Sequence, residues 1–365
     1  MKILFVTHSA SSHHKIMNLY SEIADKLIVL ANIKNKSNLD YEFPKVKNKE
    51  KVRVVFFEGI MDGIRKARNI TKEEDIDVVT SHCPISGYIA SKTNKKHVFV
   101  MCQDYIEYLE ASNVNTLSKI VKKQALKFLL KKAFKRANVV ALSDHIKRRA
   151  EAYGATRIAN IPVYGVDTKL FRKKPKDKKL MKELGLENKK VVLTVTRLTP
   201  EKGTEFLIKA MKQIREKFEA KLIICGKGYD ENRLRKMCEE LGLKNDVVFA
   251  GFIEYTEMPK YYNLCDVFVL PSIKEGLGFA SGEALSCGKP VVASDTGGIP
   301  DIVNEKTGIL VKPGDYQGIA EAVIKLLHER KLAEQLVRNG QENIKRNFDE
   351  KIVNKKFTEL IKNAI

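Results

Sequence analysis

The stretch Val267-Phe268-Val269-Leu270-Pro271-Ser272-Ile273-Lys274-Glu275-Gly276-Leu277-Gly278-Phe279-Ala280-Ser281-Gly282-Glu283-Ala284-Leu285 decides how this chain is read. Val267 to Leu270 is a short apolar run of the kind that forms a buried strand. Pro271 breaks it, glycines follow, and Ala284-Leu285 reads as helix. Two carboxylates, Glu275 and Glu283, therefore flank a strand-to-helix loop. In an open α/β sheet such loops leave the carboxyl ends of the strands, where ligands bind. Gly276 and Gly278 let backbone N–H groups approach a phosphate, and a helix start favours an anion. A carboxylate at each end suits sugar and ribose hydroxyls, which donate hydrogen bonds.

Outward from this loop, apolar runs alternate with longer helical stretches, the pattern of α/β folding on parallel sheets. In the first half, strands are expected near Ile3–Thr7, Leu27–Leu30, Val52–Phe57, Val78–Ser81, Val98–Met101, Val139–Leu142 and Ile158–Ile161. In the second half they fall near Val191–Val195, Leu222–Cys225, Val247–Ala250, Val267–Leu270, Val291–Ala293 and Gly308–Val311. The lysine-rich segment from Phe171 to Lys190 reads as a linker with one short helix. The expected class is α/β, with two Rossmann-like domains facing a cleft. Residues 1–170 form the first, 171–190 the linker and 191–347 the second. A last helix, 348–365, is expected to cross back to the first domain.

Glu275, seven residues, then Glu283, with Glu-Gly-x-Gly inside, resembles the nucleotide-sugar site of the retaining glycosyltransferases of family four, which have the GT-B fold. The run Gly288-Lys289-Pro290-Val291-Val292-Ala293-Ser294-Asp295-Thr296-Gly297-Gly298-Ile299-Pro300 extends the likeness. Tyr164-Gly165-Val166-Asp167 with Phe171 is similar to the family's Asn-Gly-Val-Asp…Phe, with Tyr in place of Asn.

The resemblance implies roles. Val195-Thr196-Arg197-Leu198-Thr199-Pro200-Glu201-Lys202-Gly203 follows a strand, and in the family the pair matching Arg197 and Lys202 binds the donor diphosphate. Two fixed cations there would stabilise the departing nucleoside diphosphate without a metal. The alternative is a helix-start salt bridge from Arg197 to Glu201. Glu283 would accept from the ribose and Glu275 would lie by the transferred sugar. Gly276, Leu277, Gly278 and Phe279 would cradle the donor. Gly226, in Gly226-Lys227-Gly228, would lie near the nucleotide. Phe252-Ile253 would lie near the base, unless the pair only packs at the core edge. Glu275 could be taken for the nucleophile of a retaining glycosidase. A positioning role is preferred, since the donor phosphate can itself take the acceptor proton.

The first half offers His82, which ends a strand and resembles the family's Asp-Val-x-x-x-His. Its roles are sugar or phosphate contact, or a structural hydrogen bond. Gln103-Asp104 stands where many members have His-Asp. Gln103 can hydrogen-bond the donor sugar but cannot carry a proton, so no general base is assigned. The loop His8-Ser9-Ala10-Ser11-Ser12-His13-His14 replaces the glycines that relatives often carry. Whether it binds phosphate or acceptor is open. His13-His14 has no matching carboxylate set for a metal. Asp75-Ile76-Asp77 reads as turn chemistry at the amino end of its strand. No metal and no cofactor are expected beyond the nucleotide sugar as co-substrate.

The net charge of +21 implies an anionic partner. Residues 1–170 hold 30 Lys+Arg against 17 Asp+Glu, and the remainder 36 against 28. Ser118 to Arg136 has eight basic residues and no acidic one. Lys119, Lys123, Lys127, Lys131 and Lys135 recur on one helical face, with apolar residues on much of the rest. This suits a basic helix on an anionic membrane surface, or a solvated face. No nucleic-acid module is visible. The six scattered cysteines suit reduced thiols in a cytoplasmic protein, peripheral at the inner membrane face. The expected activity is retaining, metal-independent transfer from a nucleotide-diphosphate sugar to a glycan or lipid-linked hydroxyl. The rivals are a nucleotide-sugar epimerase on the same fold and a non-catalytic basic binding protein.

Overall fold

The computed structural model describes residues 1–8, 13–37, 46–111 and 115–364. The chain divides into two compact units, Met1–Tyr164 with Val353–Ile365, and Gly165–Ile352. Each is built on one parallel sheet covered by helices.

In the first unit the strands are β1 (Lys2–Thr7), β2 (Lys26–Asn32), β3 (Val52–Phe57), β4 (Val78–Ser81), β5 (Lys96–Met101), β6 (Ala137–Ala141) and β7 (Ile158–Asn160). They lie in the order β3-β2-β1-β4-β5-β6-β7. Ile3 pairs with Leu27 on one side and Val78 on the other. Chain order reverses direction between β1 and β4, which makes their carboxyl ends the switch point of this sheet. Ile3 to Val6 and Leu27 to Ala31 are almost wholly buried, as strands covered on both faces must be.

The second unit contains β8 (Lys190–Val195), β9 (Ala220–Cys225), β10 (Val247–Gly251), β11 (Val267–Leu270), β12 (Val291–Ser294) and β13 (Ile309–Val311), ordered β10-β9-β8-β11-β12-β13. Its switch point lies between β8 and β11. The pleat sends alternate residues to opposite faces. Val192, Leu222, Ile224, Val267 and Val269 pack with Leu207, Met211, Ile214 and Val323. Val191, Leu193, Ile223, Phe268 and Leu270 pack with Tyr262, Leu285 and Ile344. Each such fully buried aliphatic or aromatic side chain contributes about 1.5–3 kcal/mol.

All thirteen strands stand where the apolar runs put them, with ends shifted by at most two residues. The segment Phe171 to Lys190, read as a linker, is instead part of the second unit. Phe171 is fully buried, its ring 5.1 Å from Tyr255 and 5.7 Å from Tyr262, and Leu186 lies in the same core. The short helix within it is Lys178–Glu183. The last helix, Glu350–Asn363, belongs to the first unit from Val353 onward. There Phe357 is fully buried, 6.0 Å from the Tyr20 ring.

The basic segment forms the helix Thr116–Phe134. Only Leu130, Ala133 and Phe134, at its carboxyl end, are buried. Leu117, Ile120, Val121 and Phe128 are more than half exposed. All six cysteines are free thiols. No helix among the described residues is long and apolar enough to cross a membrane.

Candidate functional site

The loops that leave β8 and β11 are laced together. The carbonyl of Glu201 accepts from the N–H groups of both Ile273 and Lys274. This brings Lys202, on the first loop, to Glu275, on the second. Lys202 Nζ lies 2.7 Å from Glu275 Oε2, with side-chain exposures of 9% and 16%. The fully buried Ser272 donates its hydroxyl to the same carboxylate oxygen at 3.1 Å. A charged pair so enclosed needs such extra hydrogen bonds to offset its lost hydration.

Gly297 closes the other side. Its φ is +57°, and an added Cβ would stand 1.8 Å from the Glu275 carbonyl oxygen. Only glycine allows both the conformation and the approach. Gly226 is held in the same way. Its φ is +135°, and a Cβ there would lie 1.8 Å from the Thr196 carbonyl. Its contribution is therefore to let the loops after β8 and β9 meet.

The helix after β11 runs Phe279–Ser286, starting well before Ala284, with Gly278 in the left-handed region at its cap. Glu283 is thus one turn into the helix rather than at its start. Its Oε2 accepts a 2.7 Å hydrogen bond from the hydroxyl of Tyr262, a fully buried residue. Burial first, and then the Glu283 charge, hold the Tyr262 phenol well above its usual pKa, so it stays a donor. Gly276 and Phe279 belong to the loop and the first helical turn, where backbone N–H groups favour an anion. Leu277 is only 2% exposed and packs into the core, which leaves its backbone alone to face a ligand.

Arg197 is the exposed cation of this group. Its side chain is 64% exposed and only loosely paired, at 3.5 Å, with Glu201. The salt bridge weighed against a binding role is therefore present, and it is weak. Glu201 is engaged more closely by the Thr199 hydroxyl, at 2.7 Å. Ile253 packs against the core edge and, with the exposed Phe252, lines a cavity of about 400 Å³.

In the first unit, His82 leaves β4 at the switch point. Its Nε2 shares a 3.0 Å hydrogen bond with the Tyr20 hydroxyl, and its ring lies 5.1 Å from Phe5. Tyr105 donates to the His82 carbonyl. His82 is thus fixed on three sides. Gln103 sits half-buried just after β5. Its neighbour Asp104 is buried and accepts from Arg149, Tyr153 and the backbone of Ile106 and Glu107. Asp104, Glu107 and His145 offer ligand atoms within 4.8 Å of one another. The guanidinium of Arg149, bonded to Asp104 and 3.5 Å from Glu107, already supplies the positive charge there. Burial and Lys34 push the His8 pKa down. The rest of the loop 8–14 lies outside the described residues, apart from the backbone of His13 and His14. Asp77 accepts from the Lys2 N–H at 2.7 Å and Asp75 has φ +50°, which is turn chemistry at the amino end of β4.

Sequence reasoning assigned no role to Ser272 and did not single out Tyr262. Ser272 stood in plain view beside Pro271. Tyr262, in Met258–Leu264, carries no signal that separates it from an ordinary core aromatic.

Two Rossmann-like units, with fixed charges at the switch point of the second, are the architecture of the GT-B glycosyltransferase fold. Residues 176–343, within the second unit, match the model of the glycosyl transferases group 1 family. The chain is 38% identical over 159 residues to an uncharacterized glycosyltransferase of Methanocaldococcus jannaschii, covering 43% of this chain and 41% of that one. It is 34% identical over 215 residues to the GDP-mannose-dependent alpha-(1-6)-phosphatidylinositol monomannoside mannosyltransferase of Mycobacterium tuberculosis, covering 56% of each. The chain thus spans about half the length of these curated relatives. Anabaena HepE, solved in complex with UDP, shares the fold over 100% of both chains, with a TM-score of 0.84 at 22% identity. Sucrose-phosphate synthase from Thermosynechococcus elongatus does so at a TM-score of 0.82 and 19% identity, covering 100% of this chain and 99% of that one.

Proposed function

We propose that this protein transfers a hexose, with retention, from a nucleotide-diphosphate sugar to an acceptor hydroxyl, and that it needs no metal. The observation that carries the reading is the enclosed Lys202–Glu275 pair at the switch point, eight residues before Glu283 on the same loop and helix. Arg197 and Lys202 hold the diphosphate and stabilise its charge as the glycosidic bond breaks. The Phe279 helix start adds its dipole. Glu283, braced by Tyr262, accepts from the ribose. Glu275 orients Lys202 and the transferred sugar, while the leaving phosphate takes the acceptor proton. His82 and Gln103 serve as polar contacts for sugar hydroxyls.

Several relatives are named as GDP-mannose-dependent enzymes acting on phosphatidylinositol mannosides, which makes GDP-mannose the first donor to test and a lipid-linked glycan the first acceptor. The helix Thr116–Phe134 supports the lipid reading. Leu117, Val121 and Phe128 share one face and lie exposed among lysines. The proposed location is the cytoplasmic face of a membrane, as a peripheral protein.

The test is a thermal-shift and transfer screen with GDP-, UDP- and ADP-sugars, with and without chelator, on the wild type and Lys202→Ala. One donor should stabilise the wild type, be indifferent to chelator and fail on the variant. Activity that vanishes with chelator and returns with manganese would overturn metal independence. Product of inverted anomeric configuration would overturn retention.

A further inference from the structure

A cavity of about 480 Å³ lies in the first unit. One wall is the lysine row of the helix Thr116–Phe134, from which Lys123, Lys127 and Lys131 line it. The other is formed by Arg149 and Tyr153, and Glu110 stands at an exposed edge. The buried Ile106 also borders the cavity.

The charges inside are not balanced. Arg149 is bonded to the buried Asp104 and approaches Glu107. Lys123 is paired with Glu110. Lys127 and Lys131 have no carboxylate partner among the described residues. They stand four residues apart, where like charges repel on a helix. Tyr153 donates to Asp104 and accepts from Arg149, which fixes the guanidinium plane against the cavity. The arrangement is two exposed ammonium groups and one fixed guanidinium lining a space large enough for a tetrahedral anion and its substituent. Ammonium groups supply point charges to such a ligand and guanidinium supplies directed donors.

We propose that this cavity is a second binding site, for a phosphate monoester, with Lys127 and Lys131 as its principal contacts and Arg149 as its fixed donor. The ligand is either a soluble phosphate or the monoester headgroup of a lipid, and the chemistry is the same. The site does not depend on the Lys202–Glu275 pair or on sugar transfer.

The test is calorimetric titration of the whole protein with inorganic phosphate. Alongside it runs co-sedimentation with phosphatidylcholine vesicles holding phosphatidic acid, or phosphatidylglycerol at the same mole fraction. Lys127→Gln with Lys131→Gln should weaken binding by about tenfold or more. Lys122→Gln with Lys135→Gln removes the same charge from the same helix outside the cavity and should change it by less than about twofold. Glu110→Gln should tighten it. Lys202→Ala, which disables the proposed donor site, should leave it intact. Phosphate binding without vesicle preference assigns a soluble ligand. Preference for phosphatidic acid over phosphatidylglycerol, competed by phosphate, assigns a headgroup. Binding that the Lys127/Lys131 variant retains, that the control pair weakens equally, or that neither probe shows, overturns the proposal.

Discussion

The ammonium of Lys202 and the carboxylate of Glu275 meet at 2.7 Å, although 73 residues separate them in the chain. Both side chains are almost closed to solvent. The pair fixes the position of a cation without the help of any ligand.

Lys202→Ala leaves the Glu275 carboxylate enclosed with Ser272 as its remaining side-chain partner. Removing one member of a buried pair costs about 3–5 kcal/mol, and the residual exposure here puts the expected loss at the lower end. Transfer should fall by about two orders of magnitude or more, as expected for a lost transition-state contact. Urea denaturation and initial-rate assays check the two effects separately.

Tyr262→Phe removes the hydrogen bond to Glu283 and little else, since the ring keeps its place between Phe171 and Phe268. Stability should drop by about 1 kcal/mol. If Glu283 binds the ribose, the donor KM should rise several-fold while kcat holds. A kcat loss at unchanged KM would place Tyr262 elsewhere in the cycle.

Gly297→Ala forces a Cβ into the Glu275 carbonyl and imposes a left-handed conformation on alanine. The loop must shift to relieve the clash. Activity should fall with the Lys202–Glu275 geometry, and the melting temperature should drop with it. A crystal structure of the variant would show whether Glu275 has moved.

Stability should decline on the acid side partly through His97. The ring is buried on β5, its Nε2 2.7 Å from the Ser81 hydroxyl, and burial pushes its pKa down to about 3. The unfolded chain takes this proton near the ordinary value of 6.5, while the folded chain resists. The contribution is therefore complete above pH 6.5 and is lost as pH falls toward 3. Between pH 6.5 and 5 the expected loss is about 2 kcal/mol. In His97→Gln the difference between denaturant midpoints at pH 7 and pH 5 should shrink accordingly.

Membrane contact by the helix Thr116–Phe134 should depend on its exposed apolar face. Val121→Glu with Phe128→Glu should reduce binding to anionic vesicles by about tenfold or more. Val121 and Phe128 are more than half exposed, so the fold should tolerate the change. Equal binding by variant and wild type would remove the membrane role.

The fold was legible because strands covered on both faces leave continuous apolar runs, and all thirteen announced themselves this way. The loops of the candidate site were legible for the same reason, since each begins where a run stops. The pairing of Lys202 with Glu275 was not, because it depends on Glu201 holding Ile273 and Lys274 across the switch point. Nor was the brace on Glu283, since a tyrosine in a core helix gives no sign of where its hydroxyl ends. The lysine-rich segment 171–190 misled as a linker because its few apolar residues, Phe171 and Leu186 above all, are the ones that dock. The basic helix reads in sequence as membrane-facing or solvated, and in the fold Ile120, Val121 and Phe128 stand exposed.

The Glu201 carbonyl, accepting from the N–H groups of both Ile273 and Lys274, makes two separate stretches of chain one mechanical part. An engineer who exchanges only the segment after β11 for that of another enzyme would set it against a foreign anchor. The cation and the carboxylate would then be drawn from designs that never met. Swaps meant to change donor choice should carry 196–203 and 271–283 together, as a single cassette.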